Sequence, residues 1–270
     1  MTNNTTAVIG GTGKTGRRVV ERLRARGADV RSLSRPRFDW EDRATWGPAL
    51  DGASAAYVTY YPDLTVPGAV DAVAELTEIA TARGVERIVL LSGRGEDEAQ
   101  RAERAVQAAA KEWTIVRCSW FNQNFSEGDF RDLVLGGELA LPVGDIPEPF
   151  VDADDIADVA AAALTGNGHG GEVYELTGPR ALTFAQVAEE LGRASGRPVR
   201  FVPLTLEQYR AGMEDIGVPA DVISLTAFLF SEVLDGRNAQ PTDGVERALG
   251  RAPRDFAQFA ARAAAQGAWS

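Results

Sequence analysis

The sequence predicts an α/β protein built on a doubly wound parallel sheet, with a small α+β subdomain towards its C-terminus. Two observations carry this prediction. Short apolar runs alternate with helical stretches up to Cys118, and the alternation breaks down beyond that residue. Strands that alternate with helices of this length pair in parallel, through crossovers that place helices on both faces of the sheet. At 270 residues, the chain is long enough for one large domain and a smaller one.

The elements of the first part follow this alternation in order. A strand over 7–9 leads into a glycine-rich loop, and the helix after the loop carries an apolar stripe and ends at Gly27. The pattern then predicts strands over 29–34, 53–60, 87–92 and 113–118, and helices over 68–83 and 96–111. The acidic residues 96–98 lie at the start of the helix predicted over 96–111, where negative side chains interact favourably with the positive end of the helix dipole.

Beyond Cys118 the pattern predicts a smaller, mostly helical region. Its segments are helices over 156–164 and 184–194, strands over 172–176 and 200–202, and a mostly helical remainder over 205–268. We therefore place the sheet domain at residues 1–150 and the subdomain at residues 151–270. A strand over 172–177 is expected to complete the sheet.

The composition argues against several classes of function. The 28 basic and 39 acidic residues give a net charge of −11 and a pI near 4.7, which disfavours nucleic acid and anionic membranes as partners. A single cysteine and a single histidine cannot form an internal disulfide or a histidine-rich metal site, so we expect no bound metal. The sequence has no run of about 18 apolar residues and no signal-peptide pattern. We therefore expect a cytoplasmic protein that does not span a membrane.

A glycine-rich loop between the first strand and the first helix is the strongest functional signal. Residues 10–16 read Gly-Gly-Thr-Gly-Lys-Thr-Gly, in the position that a dinucleotide-binding fingerprint requires. Gly10 permits the tight turn, Gly13 lets the backbone approach a pyrophosphate, and Gly16 lets the helix pack closely on the strand. The helix N-terminus then offers amide groups and a positive dipole to the phosphates. A P-loop is excluded because that motif needs glycine where this sequence has Val8. A turn without a ligand is the alternative.

The end of the second strand indicates which dinucleotide fits. A site for NAD usually has Asp or Glu there, to hold the ribose 2′-hydroxyl. This strand ends in Ser34-Arg35, with Arg37 two residues further along. An arginine suits the 2′-phosphate of NADP because a guanidinium matches phosphate geometry and stays charged. Lys14 adds a second positive charge near the same phosphate. The sequence therefore favours NADP(H) over NAD(H), and the alternative is that Arg35 is a solvated surface residue.

Further motifs are spaced along nearly the whole chain. They are Ser34-Arg35 and residues 90–93, 113–117, 120–125, 150–159 and 174–179. With the glycine loop, they make the chain resemble the NmrA-like family of atypical short-chain dehydrogenases/reductases. The resemblance implies an NAD(P)-binding domain of the Rossmann type and a small C-terminal subdomain on the substrate side. Bacterial quinone reductases and reductases of the ergot-alkaloid type are similar in architecture, and so are NADP-sensing regulators that perform no chemistry.

The resemblance also implies a role for each matching position. The residues expected to hold the pyrophosphate are Thr12, Gly13, Lys14 and Thr15, and Arg35 is expected to meet the phosphate of the adenosine ribose. The remaining positions are Tyr60, Tyr61 and Pro62 near the adenine and its ribose, Ser92 and Gly93 at the nicotinamide ribose, and Ser119, Trp120 and Phe121 at the nicotinamide. All of them follow the carboxyl ends of strands, where open α/β sheets bind ligands.

The proton relay that is typical of the wider dehydrogenase superfamily is absent from the sequence. That relay pairs a tyrosine with a lysine four residues later, and none of the five tyrosines has one, since the chain has only Lys14 and Lys111. One hypothesis is a reductase that passes a hydride from NADPH to a quinone, enone or imine, acceptors that need little acid help. The proton that the reduced acceptor takes up then comes from solvent or from Ser92, Tyr60 or Tyr61. The other hypothesis is a non-catalytic NADP(H)-binding sensor or regulator.

Aromatic residues beyond residue 118 favour the enzyme. Trp120, Phe125 and Phe150 suit the lining of a pocket for a flat, apolar small molecule, and core packing is the alternative for each of them. Residues 205–230 have apolar side chains at helical spacing, which fit a lid over the pocket or the surface of a homo-oligomer. Cys118 is a small core residue or, next to the proposed nicotinamide position, a redox-active one.

Overall fold

Strands and helices alternate along the first half of the chain, as the sequence predicts. The computed structural model describes residues 5–128 and 130–270. The strands are β1 Thr5–Ile9, β2 Asp29–Leu33, β3 Ala53–Val58, β4 Arg87–Gly93, β5 Glu112–Cys118, β6 Glu138–Leu141, β7 Glu172–Leu176 and β8 Arg200–Pro203. The helices are α1 Gly16–Ala25, α2 Trp46–Leu50, α3 Ala69–Ala82, α4 Asp97–Ala109, α5 Asn124–Glu127, α6 Phe130–Gly136, α7 Ala153–Thr165, α8 Phe184–Ser195, α9 Leu206–Asp215, α10 Ala220–Phe228, α11 Gly244–Leu249 and α12 Phe256–Ala265.

Six of the strands form one parallel sheet in the order β2-β1-β3-β4-β5-β7. The helices cover its two faces in two groups. One group consists of α1 and α7, and the other consists of α2, α3 and α4. The doubly wound parallel α/β fold is therefore confirmed. Strand order reverses at β1, which pairs with β2 on one side and with β3 on the other. In open α/β sheets, the crevice at the carboxyl ends of the strands on either side of such a reversal is the place where ligands bind.

The chain divides into two compact units. The sheet unit comprises Met1–Cys118, Ala153–Leu176 and Asp243–Ala252, and the second unit comprises Ser119–Asp152, Thr177–Thr242 and Pro253–Ser270. This division differs from a single boundary at residue 150, because three later elements belong with the sheet. Helix α7 packs on β3, β4 and β5, strand β7 pairs with β5, and α11 packs on β7 and α7.

Burial on both faces of the sheet explains why its strands are continuously apolar. All of β1 is buried, and alternate residues point to opposite faces. Ala7 and Ile9 pack with the side chains of α3 and α4, including Val73 and Val106. The helices contribute one apolar stripe each, as in α1, where Val19, Val20 and Leu23 are buried.

Aromatic packing dominates the core of the second unit. Phe125 is fully buried and makes edge-to-face contacts with Phe150, Phe184 and Phe256. The short strands β6 and β8 pair in parallel beside this core. Three of its helices, α8, α9 and α12, start with complete capping boxes, which satisfy amides that the helix itself leaves unpaired.

In residues 5–128 and 130–270, no helix combines the length and the apolar character needed to cross a lipid bilayer. Within the same residues, no group of three or more His, Cys, Asp or Glu side chains has the arrangement of a metal site.

The glycine loop makes a stability prediction. A Cβ on Gly16 would lie 2.1 Å from the carbonyl oxygen of Gly10, so we expect Gly16→Ala to lower the free energy of unfolding by about 2–4 kcal/mol. Gly212, inside α9, has no atom within 4 Å of such a Cβ. Gly212→Ala is the matched control and is expected to stabilise by about 0.5–1 kcal/mol. Urea unfolding of the ligand-free protein measures both, and equal effects of the two substitutions would contradict the packing argument.

Candidate functional site

The glycine loop that follows β1 has no room for side chains at its inner positions. A Cβ on Gly11 would lie 2.4 Å from the Ser32 hydroxyl oxygen, and one on Gly10 would lie 2.6 Å from a methyl carbon of Thr59. Gly10 also has a φ of +69°, which favours glycine. The outer residues of the loop, Thr12 and Gly13, are exposed. The loop therefore packs its backbone on the sheet and turns its outer edge to solvent.

The first turn of α1 is arranged to receive an anion. The helical hydrogen bonds begin at the Gly13 carbonyl, which accepts from the Arg17 amide at 3.1 Å. No acidic residue lies in this turn, and the Thr15 side chain makes no capping hydrogen bond. The Thr15 hydroxyl is buried and accepts a 3.0 Å hydrogen bond from Tyr57, whose pKa burial raises, so that the phenol remains a donor. First-turn amides and the helix dipole thus face the crevice without a competing carboxylate, and these residues fit a pyrophosphate.

The end of β2 lies against the glycine loop. The Gly11 amide donates to the Leu33 carbonyl at 3.0 Å, and this hydrogen bond joins the loop to the last residue of β2. Arg35 follows two residues later and is exposed, as is Arg37. The segment 34–37 after β2 therefore has exposed arginines and no carboxylate, and this is the segment in which such folds recognise a ribose 2′ substituent.

An aromatic cluster surrounds the end of β3. Tyr60 packs on Trp40 with 4.6 Å between ring centroids, and the Trp40 indole donates to the Thr59 carbonyl at 3.2 Å. Burial, together with the nearby Glu41 carboxylate, raises the pKa of Tyr60. Tyr61, in contrast, is 77% exposed. Of the two tyrosines predicted as proton donors, one is held in an aromatic cluster and the other lies in solvent, and neither role is tested by the geometry.

Ser92, at the end of β4, belongs to a buried ionic network. Its hydroxyl donates to Glu103 at 2.6 Å, and Glu103 accepts a second hydrogen bond from Arg117 at 2.9 Å. Arg117 also pairs with Glu175 at 2.6 Å. The Ser92 hydroxyl therefore directs its hydrogen towards the Glu103 carboxylate, which is itself paired with the Arg117 guanidinium. Sequence reasoning missed Glu103 and Arg117, although the signal was present: Glu103 stands on the apolar face of α4, and Arg117 stands inside an apolar strand.

Glu96 occupies a place that differs from the sequence prediction. It precedes α4 but makes no capping hydrogen bond, and its side chain folds back onto Gly93 instead. A Cβ on Gly93 would lie 2.0 Å from a Glu96 carboxyl oxygen. Only 8% of the residue is exposed. Burial, and then repulsion from the Asp63 and Glu103 carboxylates, raises the pKa of Glu96 to about 8. Nothing in the sequence indicates this, because the contact depends on the turn between β4 and α4.

The second unit opens with the residues that directly follow β5 along the chain. Ser119 is 3% exposed, and its hydroxyl oxygen has no hydrogen-bond partner in the parts of the chain that the structure describes. The same holds for both side-chain amide atoms of the fully buried Asn122. The Trp120 amide donates to the buried Glu148 at 3.3 Å. Buried polar atoms without a partner are rare, and they suit a segment that binds a polar ligand. Sequence reasoning named Ser119 but missed Asn122 and Glu148.

The three predicted substrate residues belong to one aromatic cluster of the second unit. Trp120 is partly exposed and stacks on Phe130 at 6.1 Å between centroids. Phe125 and Phe150 are buried and contact each other. The structure therefore places Trp120 at the edge of the cluster and the other two inside it, and a role of each in substrate binding remains a prediction.

Lys111 and two aspartates of α7 form ion pairs with oppositely charged side chains. Lys111 lies at the amino end of β5, opposite to the glycine loop, and pairs with Glu86 at 3.5 Å. Within the sheet unit, Asp154 and Asp158 pair with Arg22 at 2.7 and 3.1 Å. These aspartates of α7 thus neutralise Arg22 of α1.

Proteins of related sequence match this chain over nearly its whole length. The NAD(P)H azoreductase of Xenophilus azovorans is 33% identical, covering 97% of this chain and 99% of its own. The uncharacterized oxidoreductase YesF of Bacillus subtilis is 32% identical, covering 98% and 97%. Agroclavine dehydrogenase of Claviceps fusiformis is 31% identical, covering 94% and 96%. No model of a known protein family matches the chain.

Solved structures confirm the fold. The triphenylmethane reductase of Citrobacter sp., complexed with NADP(H), superimposes with a TM-score of 0.78 at 21% identity, covering 96% of this chain and 99% of its own. The NADPH-dependent quinone oxidoreductase of Escherichia coli, complexed with NADPH, gives 0.78 at 22% identity, covering 95% and 99%. The negative transcriptional regulator NmrA, in complex with NAD, gives 0.71 at 17% identity, covering 99% and 98%.

The buried carboxyl of Glu96 makes the stability of the protein depend on pH. Its pKa is raised in the folded state, so between its ordinary pKa and about 8 the unfolded state loses a proton that the folded state keeps. This group therefore costs stability progressively as the pH rises through that window. We expect Glu96→Gln to stabilise the protein by a few kcal/mol at pH 8 and by much less at pH 5, at about 1.4 kcal/mol per pKa unit.

Urea unfolding at pH 5, 6, 7 and 8 measures this dependence. Asp97→Asn removes the same charge from the exposed neighbouring residue, and we expect it to change stability by less than about 0.5 kcal/mol at every pH. A gain for Glu96→Gln that does not grow with pH would show that the carboxyl is already ionised in the folded protein.

Proposed function

Because the chain belongs to the NmrA-like family of atypical short-chain dehydrogenases/reductases, a family of NAD(P)H-dependent oxidoreductases, we propose that it uses NADPH to reduce a flat, apolar small molecule. The acceptor is a quinone, an enone or an imine. The observation that carries this proposal is the glycine loop at the crevice beside β1, where three glycines have no room for a side chain and the first turn of α1 faces outward without an acidic residue.

Each residue that the sequence singled out is assigned to one part of the cofactor. We infer that the amides of residues 12–15 bind the pyrophosphate, because the helix dipole and the absence of a side-chain cap favour an anion there. Tyr60, Tyr61 and Pro62 are assigned to the adenine and its ribose, and Gly93 to the nicotinamide ribose. Ser119, Trp120 and Phe121 are assigned to the nicotinamide, with the unpartnered Ser119 hydroxyl as a hydrogen-bonding group.

Arg35 is proposed to select NADPH over NADH. It is exposed, follows the strand that is hydrogen-bonded to the glycine loop, and has no neighbouring carboxylate in the segment 34–37. A guanidinium forms charge-assisted hydrogen bonds with a phosphate, whereas a ribose hydroxyl gains little from it. The absence of the usual Asp or Glu removes the group that favours NADH at this position.

The reaction places few demands on side-chain chemistry. When bound, the reduced nicotinamide supplies the hydride, and the protein orients the acceptor and excludes water. The sequence has no tyrosine followed by lysine four residues later, and Lys111 lies at the opposite end of β5 from the crevice. Ser92, Tyr60 and Tyr61 remain candidates for a proton donor. Trp120, together with Phe125 and Phe150, is proposed to make the second unit attractive to a planar substrate.

The relatives favour the enzyme over the non-catalytic sensor. One is named NAD(P)H azoreductase and another agroclavine dehydrogenase, so proteins about 30% identical to this one are named for redox reactions of small molecules. We therefore extend the acceptor panel to azo compounds.

The role of Arg35 is tested by cofactor affinity. We expect Arg35→Ala to weaken NADPH binding by about 10- to 100-fold, the loss of one or two charge-assisted hydrogen bonds, and to leave NADH binding within twofold. Arg37→Ala, an equally exposed arginine two residues away, is the control and is expected to change neither. Calorimetric titration gives all six dissociation constants. Equal affinities of the unaltered protein for NADH and NADPH would refute the preference.

The reductase activity is tested by the oxidation of NADPH, followed at 340 nm, against quinones, enones, imines and azo compounds. We expect turnover with at least one class, at about 1–1000 per second, because a bound nicotinamide supplies the hydride and the protein orients the acceptor. Tight NADPH binding with no turnover across the whole panel would support the sensor instead.

A further inference from the structure

Glu96 is a buried carboxyl at the ligand-binding edge of the sheet. Its side chain lies on Gly93, the last residue of β4, close enough that a Cβ on Gly93 would overlap the carboxyl oxygens at 2.0 and 2.3 Å. It is not used as a helix cap. In residues 5–128 and 130–270, no hydrogen-bond donor satisfies this carboxyl, and its 8% exposure leaves it a narrow contact with solvent. A structural carboxylate would be expected to have a donor or a cation.

The groups around Glu96 are acids. Asp63, from the segment after β3, and Glu103, from α4, both act on it by repulsion, and Cys118, at the end of β5, is influenced by it in turn. The two arginines of this region pair with other carboxylates. Arg117 hydrogen-bonds to Glu103 and Glu175, and Arg94, in the turn before Glu96, pairs with Glu175 at 3.4 Å. A carboxyl in this position keeps its proton at neutral pH, and its pKa of about 8 agrees with this.

We propose that Glu96 is the proton donor of the reductase, which delivers its carboxyl proton to the anion that hydride transfer creates on the acceptor. This inference rests on the proposed function. It assigns to Glu96 the protonation step that the tyrosine–lysine pair performs in the wider superfamily. It also gives a role to a buried glutamate that has no hydrogen-bond donor among the described residues and lies beside the carboxyl ends of β3, β4 and β5. A carboxylic acid with a pKa near the working pH is suited to general acid catalysis.

The proposed step balances for a quinone as follows. The acceptor gains a hydride, and one of its oxygens becomes an anion. The O–H bond of Glu96 breaks, a new O–H bond forms on that oxygen, and the hydroquinone leaves. The Glu96 carboxylate then takes a proton from solvent through its exposed edge. One NADPH, one proton and one quinone thus give NADP⁺ and one hydroquinone.

Two acceptors distinguish this role from a structural one. A quinone needs a hydride and a proton, whereas an iminium ion needs the hydride alone, because its product is a neutral amine. We expect Glu96→Gln to lower kcat for the quinone at pH 7 by about 100- to 1000-fold, and to leave iminium reduction within about threefold. Asp97→Asn is the matched control and should leave both rates unchanged. In the unaltered enzyme, quinone turnover should fall as the pH rises above about 8, since the acid form is then lost.

A measurement that does not depend on activity completes the test. In ligand-free protein with ¹³C-labelled glutamate carboxyls, one resonance should titrate near pH 8, be missing in Glu96→Gln and persist in Asp97→Asn. Equal rates of Glu96→Gln and unaltered enzyme with the quinone, equal losses with both acceptors, or no such resonance would each overturn the assignment. Absence of turnover of either acceptor by the unaltered enzyme would instead refute the reductase function on which the assignment depends.

Discussion

The close approach of three backbone segments is the constraint on which the sheet unit depends. At Gly11 and Gly16, the end of β1, the end of β2 and the start of α1 come so near to one another that a methyl group has no room, and at Gly10 the Thr59 side chain occupies the space. This contact holds the first turn of α1 at the carboxyl edge of the sheet, where the strand order reverses. Because the turn has neither a side-chain cap nor an acidic residue, the same constraint that packs the unit also presents a helix N-terminus that suits an anion.

Two buried glutamates at that edge show how surroundings decide what a carboxyl can do. Glu103 accepts hydrogen bonds from Ser92 and Arg117, so its charge is compensated and it organises the ends of β4 and β5. Glu96, a few residues earlier, faces other acids and has no donor among the described residues. Pairing suits the first to a structural role and isolation suits the second to proton transfer. The difference arises from the geometry of one turn and not from the residue type.

The second unit follows another principle. Its interior is filled by aromatic rings in edge-to-face and tilted contacts, which specify ring positions more closely than aliphatic packing does. Trp120 stacks at the margin of this cluster and remains partly exposed, so the same rings that stabilise the unit also support a flat aromatic surface. Exposed apolar side chains occur nearby on α10, where Val222 and Phe228 are 39% and 37% exposed.

The sequence by itself determined the class of fold and the glycine loop, because both depend on local patterns: apolar runs of strand length alternate with amphipathic helices, and glycine stands where only glycine fits. Arg35 belongs to this group, since its place follows from the end of a strand. The sequence also predicted that a strand near residues 172–177 completes the sheet, and β7 does so. Tertiary structure alone decided that α7 and α11 pack with the sheet unit, because packing between distant segments leaves no local signal. It also decided the states of Ser92, Glu96 and Glu103. The ionisation and hydrogen bonding of a side chain depend on neighbours that are remote in the chain, and folding is what brings them together.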